Sequence, residues 1–178
     1  ASMQNQINKF SDDVGGAISD RILTEAEIRI IKNDLNDLKT QKDVIYQSYY
    51  TIYNNVNLDT IHKSGLSGAW NSYESSYNLL VNTINNLTAD SDITDNERKT
   101  YEEAIAKYQK NYSELERQIQ RCLDNISTKK VNALETSVNN KISTIDQKAD
   151  SISLKVEEVE KTTVTNGNNI NNLTTRMN

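Results

Sequence analysis

An acidic cluster ahead of the longest predicted helix is the arrangement that comes nearest to a metal-binding loop. It contains Asp90, Asp92, Thr94 and Asp95. An EF-hand-type calcium loop requires glycine at its sixth position and glutamate at its twelfth, where this chain has Asp95 and Tyr101. Helix capping explains the same acids, because carboxylates near a helix N-terminus complement the helix dipole. We therefore predict no metal site, although whether Asp90 and Asp92 bind an ion stays open.

The single histidine and the single cysteine lack the partners that chemistry would require. His62 lies in a polar connector without a second histidine or a cysteine nearby, so a surface side chain is expected instead of a zinc ligand. Cys122 falls on a core-facing helical position, which favours a small buried apolar residue. Phosphate-binding glycine loops, nucleophile elbows and paired carboxylates are not found. The sequence predicts a protein that is not an enzyme and has no cofactor or catalytic residue.

Composition excludes several classes of partner. The chain has 178 residues and a formal charge of −5, and its 20 Lys and Arg residues are interspersed with acids, so we expect no nucleic acid partner. An apolar run long enough to cross a bilayer is missing, and no membrane partner is expected. Ala1-Ser2-Met3 precedes what looks like an internal start, which indicates a fragment of a longer protein.

Two helix starts share the order apolar–Thr–x–x–Glu. Thr94 with Glu97, and Thr24 with Glu27, fit capping boxes in which each side chain satisfies a free backbone N–H of the other residue. Apolar residues then recur alternately three and four positions apart, which is a heptad pattern. Only Lys42 interrupts the first pattern, and its long aliphatic stem could carry its charge out to solvent.

Three matching heptad patterns joined by short turns predict an all-α fold with an antiparallel three-helix bundle at residues 19–128. The helices are expected at about 24–55, 66–87 and 94–128, with a short helical piece at 59–64 between the first two, ended by Gly65. The predicted core comprises Ile28, Ile31, Leu35, Leu38, Ile45, Tyr49, Ile52, Trp70, Tyr73, Tyr77, Leu80, Ile84, Ile105, Tyr108, Tyr112, Leu115, Ile119 and Cys122.

Residues 1–18 repeat apolar side chains at helical spacing and are expected to be a lead-in, either the end of an upstream coiled coil or a disordered terminus. Gly15-Gly16 predicts a break there, since glycine costs about 1 kcal/mol in a helix interior.

Residues 129–178 continue the apolar pattern after the first two helices have ended. The third helix is therefore expected to extend into a parallel coiled-coil stalk whose apolar stripe is covered by other copies of the chain. β-Branched residues at both core positions of the heptad favour three or four strands, and we predict a trimer. Beyond residue 160 the pattern is polar, and the coil either frays or uses asparagine to fix its register. The predicted interface comprises Leu134, Val138, Ile142, Ile145, Ala149, Ile152, Val156, Val159, Asn166, Ile170 and Leu173.

The two helix starts and the long Tyr-rich helices between them resemble a module of tail proteins from phages of Gram-positive bacteria. There the start looks like Asp-x-x-Ile-Thr-x-x-Glu, matched here at residues 90–97 and more loosely at residues 20–27, although the usual glycine is absent from both. The resemblance covers about residues 19–160. It implies a trimeric structural segment of a tail fibre or tail-tip (baseplate) protein, located in the virion tail and assembled in the bacterial host cytoplasm.

The expected function is a spacer that keeps distal receptor-binding parts in trimeric register. Its partners would be other copies of the chain and other tail proteins, with contact to the bacterial surface only through parts outside this fragment. Two alternatives remain, the stalk of a trimeric bacterial surface adhesin and a helical pore-forming toxin component. A membrane anchor in flanking sequence would favour the adhesin, and the toxin needs an apolar hairpin that these helices lack.

Overall fold

The chain is all-α, as predicted. A computed structural model describes residues 2–177, and within that range it contains four helices and no strand longer than a single bridge. The helices are α1 (Met3–Ala17), α2 (Glu25–Tyr53), α3 (Thr60–Leu87) and α4 (Asp95–Met177). The fold separates into two compact units, the first ending at Lys129 and the second beginning at Lys130.

Both predicted capping boxes are present. The Thr24 hydroxyl accepts a hydrogen bond from the Glu27 N–H at 3.2 Å, and Glu27 Oε2 accepts one from the Thr24 N–H at 2.8 Å. Thr94 and Glu97 repeat the arrangement at 3.2 and 2.8 Å. Each box satisfies N–H groups that have no partner within the helix, so α2 and α4 begin at defined residues.

The loops before α2 and α4 pair with each other through reciprocal backbone hydrogen bonds. The Leu23 N–H donates to the Ser91 carbonyl at 2.7 Å, and the Ile93 N–H donates to the Arg21 carbonyl at 2.9 Å. The two donors, Leu23 and Ile93, are at equivalent places in the two loops, and so are the two acceptors, Arg21 and Ser91. They therefore relate the loops by a local twofold arrangement and hold both helix starts at the same end of the first unit.

The twofold arrangement extends to whole helical hairpins. α1 ends at Ala17 and α3 at Leu87, while α2 begins at Glu25 and α4 at Asp95, so equivalent points lie 70 positions apart. Asp20 and Asp90 also match, because each side chain accepts the N–H two residues on, at 3.1 and 3.0 Å. The first unit is thus built from two similar helix–loop–helix hairpins, although only the two start motifs were recognisable in the sequence.

All four helices contribute to one apolar core in the first unit. Its centre is an aromatic layer in which the Tyr73 and Tyr108 hydroxyls are 3.1 Å apart and the Tyr108 hydroxyl donates to Met3 Sδ at 3.9 Å. Of the predicted core residues, thirteen are buried, and five are partly buried and packed against the core: Ile28, Leu35, Ile45, Tyr49 and Ile119.

The N-terminal segment differs from the expected lead-in. α1 continues through Gly15-Gly16 to Ala17, and it places Ile7, Phe10 and Val14 fully inside the core. The energy gained by burying this stripe outweighs the cost of two glycines, since each buried side chain of this size contributes about 1.5–3 kcal/mol. The first unit therefore extends to the start of the described chain.

The start of α3 also differs from its prediction. The helix begins at Thr60 and passes through Gly65, which was expected to end a separate short piece. A Cβ atom on Gly65 would come within 3.0 Å of Gln118 Oε1. Leu66, Ala69 and Trp70, which follow it in α3, are buried, and their packing outweighs the low helix propensity of Gly65.

In the second unit, α4 continues to Met177 without interruption at Gly167. Every described residue from 127 onwards is exposed, including the whole predicted interface. Threonines along this stretch donate to the carbonyl four residues earlier, as Thr144 does to Asn140 at 2.9 Å, so their polar groups are satisfied within the helix.

The burial of Phe10 gives a direct test of α1. We expect Phe10→Ala to lower the free energy of unfolding by about 3–5 kcal/mol, because it removes a fully buried aromatic ring and leaves a cavity. Asn8→Ala, an exposed change on the same helix, should cost less than about 0.5 kcal/mol. Urea unfolding followed by circular dichroism measures both. A loss at Phe10 no larger than at Asn8 would mean that α1 does not pack on the core.

Candidate interaction face and the residues considered for chemistry

The apolar stripe of the second unit is the most extensive unsatisfied feature in the described chain. Its large side chains, from Leu134 to Leu173, are between 44% and 65% exposed. A helical residue three or four positions from the next lies on the same face, so the predicted interface residues form a continuous apolar stripe from Leu134 to Val159, and Ile170 and Leu173 follow after polar positions. Contiguous exposed apolar surface of this extent is typical of an interaction site.

The stripe has a defined chemical character. Ile142, Ile145, Ile152, Val156 and Val159 are β-branched, which gives stiff side chains suited to regular packing. Most neighbouring positions carry Lys, Asp, Glu, Asn, Ser or Thr, whereas Leu154, also off the stripe, is an exposed apolar side chain. The face can therefore pack against another apolar helix.

The acidic cluster before α4 is occupied by local interactions. Asp90 accepts the Asp92 N–H, and Asp95 forms an ion pair with Arg21 at 2.8 Å across the paired loops. Among residues 2–177, no group of three or more His, Cys, Asp or Glu side chains is placed to hold a metal ion. The acids thus act in turn formation and loop pairing.

His62 and Cys122 lie beside each other at the interface of α3 and α4. Cys122 is fully buried, and its Sγ lies 3.6 Å from the His62 carbonyl oxygen. Burial raises the pKa of the Cys122 thiol, which disfavours the reactive thiolate. His62 is half-buried instead of lying at the surface as expected, and its Nδ1 has no hydrogen-bond partner in the structure.

Lys42 reaches an aromatic surface as well as a carboxylate. Its Nζ lies 3.1 Å from Glu74 Oε1 and 5.5 Å from the centre of the Trp70 ring. Tyr49 stacks on the same indole at 5.0 Å. A cation against an aromatic face is attracted by the ring quadrupole, so the residue that interrupts the heptad pattern joins α2 to α3.

A buried carboxylate that the sequence analysis missed lies between α1 and α2. Asp34 is almost fully buried, and Lys9 of α1 bridges it to Asp13, with the Lys9–Asp13 contact at 2.8 Å. Burial raises the pKa of Asp34, and the interaction with Asp34 together with Lys9 lowers the pKa of Asp13. Asp34 immediately precedes the predicted core residue Leu35 and is not itself one of the apolar heptad positions. The heptad pattern therefore gave no reason to expect a buried acid there.

Comparisons with family models, curated proteins and solved structures found no match to this chain. In the part of the chain described, no helix combines the length and the hydropathy needed to span a membrane. Assignment of a function therefore depends on the interaction face itself.

The carboxyl pair predicts a pH dependence of stability. Because the folded-state pKa of Asp34 lies above its ordinary 3.8, its contribution is fully present below that pH and is lost as pH rises through the folded-state pKa. We therefore expect Asp34→Asn to gain stability relative to the parent chain as pH rises from about 3 to about 7. Urea unfolding at each pH measures the difference.

Two further variants complete this experiment. Asp37→Asn, on the exposed side of α2, should follow the parent curve. Asp13→Asn isolates the opposing contribution, because the lowered pKa of Asp13 stabilises the fold above 3.8 and that stability is lost as pH falls. Parallel curves for Asp34→Asn and the parent chain would show that Asp34 ionises as freely as an exposed carboxyl.

Proposed function

We propose that the chain is a structural spacer of a phage tail fibre or tail-tip protein, without enzymatic activity, and that three copies associate through the second unit. Each copy contributes a helical bundle, and α4 continues from it into a parallel coiled coil. The mechanism is mechanical, since a trimeric stalk sets a distance and keeps distal receptor-binding parts in register. The observation that carries the proposal is the exposed apolar stripe of the second unit.

The energetic argument rests on that stripe. A helix with one apolar side is only marginally stable alone in water, and most helical stability in proteins comes from packing that side. Burial of apolar surface is favourable by roughly 25 cal/mol per Å². No described residue of the second unit covers the stripe, and on this proposal other copies of the chain supply the stabilisation.

The identity of the core residues supports three strands. Ile142 and Val156 occupy a positions, and Ile145, Ile152 and Val159 occupy d positions. β-Branched side chains at both positions pack poorly in a dimer and favour higher strand numbers. Asn166 continues the register as a polar residue, which would fix the alignment of the strands at some cost in stability.

The resemblance to phage tail modules supports the biological setting, with assembly in the host cytoplasm and location in the virion tail. The adhesin stalk is the second candidate, because the same trimeric stripe would serve it equally well. Flanking sequence separates the two, since a signal peptide and a membrane anchor would favour the adhesin. A pore-forming component is less well supported, because it requires an apolar hairpin that can enter lipid.

Sedimentation equilibrium tests the central claim. The chain has a mass of 20.2 kDa, and we expect a species of three times that mass at micromolar concentration. A monomer throughout the micromolar range would refute the stalk, and a dimer or tetramer would refute the strand number alone.

One substitution tests the register of the stripe. We expect Ile145→Asp to dissociate the trimer, because a coiled-coil core would have to bury a carboxylate from each chain at a cost of several kcal/mol. The first unit should keep its helicity, as measured by circular dichroism. Gln147→Asp introduces the same charge two residues away, outside the stripe, and should leave the trimer intact. Survival of the trimer in Ile145→Asp would show that this register is incorrect.

A further inference from the structure

The twofold arrangement of the first unit lets each position of the first hairpin be compared with its counterpart 70 residues later. α1 corresponds to residues 73–87 of α3, because Ala17 and Leu87 end the two helices. Three places differ in ways that bear on the stability of α1. At each of them the first hairpin has the less favourable choice, so α1 is held less firmly than its counterpart.

The first difference lies in the loop between α1 and α2. Arg21 has a φ of 68°, and among the described residues it is the only one other than glycine with a positive φ. This conformation is unfavourable for an L-residue, because its Cβ crowds the following carbonyl oxygen. The counterpart, Ser91, does not adopt it. The connection to α1 is therefore strained, whereas the connection to the matching part of α3 is not.

The second difference lies within the helices themselves. Gly15 and Gly16 correspond to Asn85 and Asn86. A Cβ atom on either glycine would meet no neighbouring side chain or helix within 4 Å, so close packing does not require glycine at these positions. Glycine nevertheless lowers the stability of a helix more than asparagine does. The last turns of α1 are therefore weak for a reason that packing does not explain.

The third difference lies beneath α1. Asp34 corresponds to Ala104, and both residues are buried. The Oδ2 atom of Asp34 has no hydrogen-bond partner, although Lys9 of α1 pairs with Oδ1. A buried carboxylate oxygen without a partner is unfavourable, and this cost ends when α1 leaves, because water can then reach the oxygen.

We propose that α1 is a releasable helix, which unfolds and swings away about Arg21 while the paired loops, α2, α3 and the first-unit part of α4 stay in place. Rotation about the N–Cα bond of Arg21 moves every residue before it. The Arg21 carbonyl follows that bond, so it can keep its hydrogen bond from the Ile93 N–H, and Leu23 can keep its bond to Ser91. A helix of 15 residues is only marginally stable alone in water, so α1 melts once it is released.

Release of α1 uncovers apolar surface on two helices. Ile31 and Leu38 lie three residues before and four residues after Asp34, on the same face of α2. Tyr108 of α4 contacts Met3 of α1. Ile31, Leu38 and Tyr108 are all fully buried while α1 is in place. The helix thus acts as a cover that controls access to this surface, and the device belongs to the first unit without depending on the stalk.

Hydrogen exchange of the full chain, measured at single residues by mass spectrometry, tests the proposal. After correction for intrinsic rates, the amides of Phe10 and Val14 should exchange at least about tenfold faster than those of their counterparts Leu80 and Ile84. Urea should accelerate exchange at Phe10 less than at Leu80, because release of one helix exposes less surface than unfolding of the unit. The Ile93 N–H should exchange as slowly as Leu80. Equal rates at Phe10 and Leu80, or at Phe10 and Ile93, would overturn the proposal.

Two exposed substitutions separate the release of α1 from unfolding of the whole unit. Gly15→Ala should slow exchange at Phe10 about fivefold, because alanine stabilises the helix and its Cβ has free space. Lys107→Gly, on the exposed side of α4, should accelerate exchange at Leu80 about threefold and leave Phe10 unchanged, since α4 stays folded when α1 is released.

Two results with these variants would contradict the proposal. Equal acceleration of Phe10 and Leu80 in Lys107→Gly would mean that α1 opens only together with the other helices. An unchanged rate at Phe10 in Gly15→Ala would mean that α1 does not unfold when its amides become exposed.

Discussion

The structure depends on one constraint, namely that an apolar stripe on a helix must be covered. In the first unit the stripes of four helices cover one another, and the aromatic layer of Tyr73 and Tyr108 lies where all four meet. In the second unit the stripe of α4 has no neighbour within the described chain. The same helical pattern therefore produces a closed core in one unit and an exposed apolar stripe in the other.

The paired loops explain how two separate hairpins become one unit. Two backbone hydrogen bonds, between Leu23 and Ser91 and between Ile93 and Arg21, are individually worth only about 0.5–1.5 kcal/mol each. Their effect is positional, because they place the capping boxes of α2 and α4 side by side and so align the apolar stripes that follow. A change in either loop would act on the register of both long helices.

Much of the fold was predictable because its signals are local. The capping boxes at Thr24 and Thr94 depend on side chains three residues apart, and the heptad pattern then locates the core with little ambiguity. The errors arose where tertiary packing outweighed local propensity. Gly15-Gly16 and Gly65 were interpreted as helix breakers, yet α1 and α3 pass through them because the neighbouring helices gain more from contact than glycine costs. Asp34 was missed for the opposite reason, since its partner Lys9 lies on another helix and no local pattern announces it.

The two hairpins are similar in structure although many of their core residues differ. Positions 70 apart keep their roles while changing their residues: Ile45 corresponds to Leu115, Leu38 to Tyr108, and Lys42 to Tyr112. A core tolerates such exchanges provided that its total volume and pattern are kept. The loops are constrained more strongly, because Asp, Thr and Glu at these places each satisfy a particular backbone group. The capping residues therefore match between the two hairpins more closely than the core residues do.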